Sequence, residues 1–168
     1  MISGSITALI RQKGEMNMYK KILFPTCLTE FCSHVFDFTL RTAIEEEAKL
    51  WIYHGLGRVN MSGEEVAKEI EKAEARLLEE YGDKLKRRGF TNYAINVTDG
   101  DIVSEITKLA RNAKVDVIIM GTGTRPPMPA GESARVGPLG KTTAQTLLWA
   151  PCPVLVVPPA LVPGLARR

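Results

Sequence analysis

With 168 residues, 45% of them apolar and 24% charged, the chain has the size and composition of one globular domain. A net charge of +3 with only short basic runs, such as Arg87-Arg88 and Arg167-Arg168, argues against a nucleic-acid partner. No apolar run approaches the ~20 residues that a membrane crossing requires, so a membrane role is not expected either.

Residues 1–17 scatter Ser, Gly, Thr and Lys among a few aliphatics, with the charges after the apolar part. That makes a poor secretory signal and predicts a disordered leader, a translation start assigned too early, or an arm packed on a partner subunit. The three cysteines, Cys27, Cys32 and Cys152, form no CxxC and no metal-ligand spacing. An odd, sparse set fits a reducing compartment, and a cytoplasmic protein is expected.

The first strand is predicted over Lys21 to Thr26. A helix follows from Glu30 to Ala48, with Cys32, Phe36, Leu40 and Ala43 on its inner stripe. Leu50 to Tyr53 is the second strand, ended by Gly55-Leu56-Gly57. Ser62-Gly63-Glu64-Glu65 reads as a capping box. The helix it opens places Val66, Ile70, Ala73, Leu77, Tyr81 and Leu85 on one face. Lys86, Arg87 and Arg88 suit its C-terminal dipole, and Gly89 suits the position just beyond.

Tyr93 to Val97 is the third strand. Asp99-Gly100-Asp101 turns the chain and caps a helix with Ile102, Ile106 and Leu109 inward. Val115 to Met120, almost wholly apolar, reads as a central strand covered on both faces. The segment 121–139 holds too many Gly and Pro for a helix or paired strand. A short helix is predicted over Lys141 to Trp149, and Val154 to Val157 is the fifth strand, stopped by Pro158-Pro159. Strands alternating with helices predict a parallel sheet with right-handed crossovers.

The end of this series carries the strongest functional signal. An apolar strand breaks into Gly121-Thr122-Gly123-Thr124, and Gly140 then opens the polar start of a helix, Lys141-Thr142-Thr143. Glycines let backbone approach a ligand, and the amides of a helix start attract phosphate. Together with Tyr19-Lys20-Lys21-Ile22-Leu23-Phe24-Pro25-Thr26 and Ala150-Pro151-Cys152-Pro153-Val154, this pattern resembles the universal stress protein family over residues 18 to 158. The domain is accordingly placed at 18–160, with 161–168 as a tail.

The resemblance implies a doubly wound α/β domain of the adenine nucleotide alpha hydrolase-like kind, with a five-stranded parallel sheet in the order 3-2-1-4-5. The switch in strand order then lies between strands one and four, where ligands of such sheets bind. It also implies a non-catalytic regulatory protein, a homodimer joined through the last strand, and ATP as a ligand. The positions matching the family's nucleotide contacts are Pro25, Thr26, Cys27, Gly55, Met120, Gly121, Gly123, Thr124, Gly140, Lys141 and Thr142.

Departures from the family pattern keep an alternative open, a dimeric protein-interaction module without nucleotide. The family's acidic residue after strand one is replaced by Cys27. Thr124 stands at the second glycine of its Gly-x-x-Gly, and Lys141 stands where a Ser or Thr follows the last glycine. The loop between Gly121 and Gly140 is also longer than the family's. Arg125, Arg135 and Lys141 supply cations for a phosphate, or simply a solvated loop. Gly140-Lys141-Thr142 is no Walker A motif, because Arg135 occupies the position of its first glycine. Cys27 reads either as a reactive thiol at a helix start or as a small apolar filler. His54 reads as a structural histidine, and His34 has no evident partner. No nucleophile-base set or metal-ligand spacing stands out in the sequence. A slow ATPase or a thiol-dependent enzyme is the third class.

Overall fold

The computed structural model describes residues 17–123 and 139–158. Residues 1–16, 124–138 and 159–168 lie outside the described residues, and with them Thr124, Arg125 and Arg135. The elements run β1 (Lys21–Pro25), α1 (Glu30–Glu45), β2 (Lys49–Gly55), α2 (Gly63–Arg87), β3 (Tyr93–Thr98), α3 (Ile102–Ala113), β4 (Val117–Gly121), α4 (Lys141–Trp149) and β5 (Val154–Val157). The strands pair in parallel in the order β3-β2-β1-β4-β5. This is the doubly wound α/β arrangement expected from the sequence.

Each strand alternates its side chains between two helical layers. Ile22, Phe24, Leu50, Ile52, Val117 and Ile119 face the layer formed by α1 and α2. Leu23, Tyr53, Ile118 and Met120 face α3, with α4 packed beside it. The α1 stripe of Cys32, Phe36, Leu40 and Ala43 is buried as its periodicity predicts, and Val35 and Thr39 join it. Phe24, Phe36 and Tyr81 form an aromatic knot, with Phe36 and Tyr81 ring centroids 4.2 Å apart. Burying each such ring is worth roughly 1.5–3 kcal/mol.

Local signals set the element ends. Ser62 and Glu65 form the expected reciprocal capping box of α2, and Asp101 caps α3 through the Ser104 amide. Helix α1 ends at Glu45, three residues before the expected Ala48. Glu47 takes a left-handed φ of 52°, and the Ala48 and Glu47 amides return to Ala43 and Ile44 carbonyls at 2.9 and 3.2 Å. Three consecutive glutamates oppose the negative end of the helix dipole there, and the turn lets fully buried Ala48 lead into β2.

Strand β2 extends beyond Leu50–Tyr53 at both ends because β1 and β3 pair along it from either side. Strand β4 begins at Val117 rather than Val115. The Val115 amide closes α3 on the Ala110 carbonyl, and the Asp116 carboxylate accepts the Lys20 and Lys21 amides at 2.8 Å.

Candidate functional site

At the C-terminal ends of β1 and β4 the order of the sheet reverses, and the chain leaves each strand in an opposite direction. A cavity of about 580 Å³ opens there. Its walls come from the β1–α1 turn, the end of β2, the first turns of α3 and α4, and the glycines that follow β4. Pro25, Thr26, Cys27, Gly55, Met120, Gly121, Gly123, Gly140, Lys141 and Thr142 all line it. Thr124 lies outside the described residues.

Thr26 is a buried peg and not a free hydroxyl. Its Oγ1 lies 2.6 Å from the Tyr81 hydroxyl and accepts the Leu28 amide at 3.1 Å. That second bond holds Leu28 at a left-handed φ of 59°. The Thr26 carbonyl accepts from His54 Nδ1 at 2.8 Å. A carbonyl only accepts, so Nδ1 carries a proton. His54 therefore ties β2 to the β1 turn, in keeping with the structural role read from sequence. Burial pushes the Tyr53 and Tyr81 hydroxyls above their ordinary range.

The opposite wall rests on two glycines in backbone contact. Gly123 has φ +67°, and a Cβ on Gly140 would lie 2.7 Å from the Gly123 carbonyl oxygen and 2.8 Å from its Cα. The Gly140 amide donates to the Thr122 carbonyl at 2.8 Å, and Thr143 Oγ1 donates to the Gly121 carbonyl at 2.9 Å. This crossing presses the start of α4 against the end of β4. Gly140 caps α4 without a side-chain hydrogen bond, and no acidic residue sits in the first turn. The leading amides of a helix have no partner within it, so they present a partial positive charge beside the cavity. Lys141, exposed at the first position, adds a full charge.

The third wall holds two thiols. Cys27 is exposed and Cys32 is buried, and their sulfurs are 2.9 Å apart. The Cys27 amide also points at Cys32 Sγ at 3.4 Å. Contact with the Cys27 side chain holds the Cys32 thiol below its ordinary value, against the opposing effect of burial. Cys27 moves the other way: its proton is held by Cys32, and burial adds to that. Sequence reading placed Cys32 only on the inner stripe of α1. Spacing of five along the chain is not a recognised pairing signal, and only the left-handed turn at Leu28 brings the two sulfurs together. Ile102 and Ile106 also line the cavity, although the sequence marked them solely as the inward face of α3. No cluster of three or more metal-ligating side chains occurs among the described residues.

The universal stress protein family model matches residues 18–158. The chain belongs to the universal stress protein family. Its fold is similar to that of a family protein from Burkholderia pseudomallei, with 22% identity, 84% of this chain and 97% of that chain covered, and a TM-score of 0.62. It is also similar to the universal stress protein from Archaeoglobus fulgidus in complex with dAMP, at 15% identity, 83% and 98% coverage and TM-score 0.59. An Arabidopsis thaliana family protein with AMP bound is similar at 17% identity, 83% and 90% coverage and TM-score 0.55. No curated protein sequence matches the chain. No described helix is long and apolar enough to cross a membrane.

Proposed function

We propose that the chain is a non-catalytic regulatory protein that binds ATP or another adenine nucleotide in this cavity. The observation that carries the reading is the convergence of the family-matched positions on one cavity at the switch point, beside an uncapped helix start. A volume of about 580 Å³ suits a ligand of nucleotide size. The wall of Ile102, Ile106 and Met120 suits a base, and the start of α4 with Lys141 suits the phosphates. Two similar structures carry AMP and dAMP, which supports the ligand class. Cys27 offers a thiol where a carboxylate would hold a ribose, so the affinity should be modest.

Calorimetry with ATP and with adenosine tests the reading. Wild type should bind both, and ATP should remain intact through the titration. Lys141→Ala should weaken ATP about tenfold, as loss of a charge-assisted contact implies, and should leave adenosine nearly unchanged. Equal losses for both ligands would mean that Lys141 supports the loop and not phosphate. No binding of either by wild type would overturn the proposal in favour of a protein-interaction module.

A second reading concerns assembly. β5 is an edge strand, and Leu148 and Trp149 just before it are 78% and 70% exposed. An apolar edge beside exposed large side chains favours a homodimer through β5. A cytoplasmic location accords with three free cysteines.

A further inference from the structure

The cavity contains a chemistry that nucleotide binding does not use. Cys27 and Cys32 both line it, and their sulfurs are already 2.9 Å apart, less than about 1 Å beyond a disulfide bond of ~2.05 Å. The third cysteine, Cys152, belongs to the cluster around α3, on the opposite face of the sheet from Cys32. We infer that Cys27 and Cys32 are a peroxide-oxidised dithiol switch set in the wall of the cavity.

Three features of the geometry support this. The pair sits at the start of α1, where the helix dipole favours a thiolate on Cys32. The Cys27 amide donates to Cys32 Sγ at 3.4 Å, and the two sulfurs stand within hydrogen-bond contact of each other. The exposed Cys27 then stands where a resolving thiol must stand, in contact with the sulfur that reacts. A cysteine serving only as filler would need neither the second sulfur nor the amide.

The oxidation proceeds in two steps. The Cys32 thiolate attacks one oxygen of hydrogen peroxide, the O–O bond breaks, and Cys32 becomes a sulfenic acid. The hydroxide released takes up the proton that Cys32 had lost and becomes water. Cys27 sulfur then attacks Cys32 sulfur, the S–O bond breaks, and the hydroxide leaves with the Cys27 proton as a second water. Two thiols and one peroxide give one disulfide and two waters. The switch removes the thiolate and its S–H donor from the cavity wall. It also draws the β1–α1 turn toward the helix.

The consequence for the ligand rests on the nucleotide reading of the same cavity. The reduced pair presents the exposed Cys27 thiol where the ribose contact is proposed, and the disulfide does not. ATP should therefore bind the oxidised protein about fivefold more weakly, the effect of one lost hydrogen bond.

The experiment treats purified protein with hydrogen peroxide and reads intact mass, free thiols and peptide linkage. The expected result is a mass lower by two hydrogens, one remaining thiol at Cys152, and a linked Cys27–Cys32 peptide, all reversed by dithiothreitol. Cys152→Ser should oxidise in the same way, and Cys27→Ser should instead accumulate oxygen on Cys32. Retention of three thiols, a link through Cys152, or oxygen added to wild type without a link would each overturn the switch. Calorimetry on both redox forms separates the two readings. A disulfide that forms in a protein blind to ATP would sink the nucleotide proposal and leave the switch standing. ATP binding without a disulfide would do the reverse.

Discussion

Gly140→Ala puts one methyl group into the tightest backbone contact of the site. The added Cβ would lie 2.7 Å from the Gly123 carbonyl oxygen, 2.8 Å from its Cα and 2.9 Å from its carbonyl carbon. None of these is the movable end of a side chain, so the two backbone segments must part by about half an ångström to reach ordinary contact. That displacement also stretches the 2.8 Å hydrogen bond from the Gly140 amide to the Thr122 carbonyl. Overpacking of this kind costs about 1–3 kcal/mol. For a chain of this size the melting temperature should fall by roughly 3–10 °C. Helix α4 moves away from β4, so its leading amides lose their aim, and ATP affinity should drop about tenfold as those bonds lengthen. Gly82→Ala supplies a control of opposite sign. Gly82 lies inside α2 with nothing within 4 Å of an added Cβ, so alanine there should stabilise the protein by about 0.5–1 kcal/mol. Differential scanning fluorimetry with calorimetry reads both quantities. A Gly140→Ala protein with wild-type melting temperature and wild-type affinity would refute the claim that this crossing positions the site.

Cys27→Asp should strengthen ATP binding about tenfold by restoring a carboxylate acceptor at the end of β1; calorimetry showing no gain would remove Cys27 from the ligand's contacts. Val156→Lys, on the edge strand β5, should halve the mass seen by light scattering, and an unchanged mass would place any interface elsewhere. Tyr81→Phe removes the buried bond to Thr26 Oγ1 and should cost about 1 kcal/mol in urea unfolding with little change in slope. Asp101→Ala removes the α3 cap, and the Ser104 amide and hydroxyl hold the Asp101 carboxyl below its ordinary value. A depressed folded value stabilises the protein above the unfolded value and is lost as pH falls through the folded one. The melting-temperature gap between wild type and Asp101→Ala should therefore be full at pH 7 and close in strong acid.

How much of this was legible in the sequence depends on whether each signal is local. The capping box at Ser62, the Asp101 cap, the α1 stripe and the apolar run of β4 rest on near neighbours, and each element formed where its pattern lay. The element ends were less legible for a definite reason. Helices α1, α2 and α3 all close with the same pair of backward bonds, through Ala48 and Glu47, Phe90 and Gly89, and Val115 and Lys114. Only Gly89 announces its left-handed turn, while Glu47 and Lys114 adopt it at φ 52° and 53° without a glycine. What forces them is the buried residue that follows, Ala48 or Val115, which tertiary packing alone selects.

The same distinction separates the two halves of the site. The glycine wall was readable because close backbone approach leaves glycine no substitute at Gly123 and Gly140, and Gly121 leaves room for the Phe31 ring, so all three mark the turn in the sequence itself. The thiol wall was not, because the contact between Cys27 and Cys32 depends on Leu28 holding a conformation that leucine rarely adopts. That turn is stabilised by Thr26 Oγ1, and Thr26 is fixed in turn by Tyr81 from the C-terminal half of α2. The sulfur pair is thus set by a chain of contacts reaching 55 residues away. Tyr81→Phe therefore bears on more than stability. If the Tyr81 hydroxyl fixes the Thr26 rotamer that supports the Leu28 turn, its loss should slow disulfide formation by peroxide at the same time as it lowers the unfolding free energy. Unchanged oxidation kinetics in a destabilised Tyr81→Phe protein would show that the turn holds the two sulfurs together by itself.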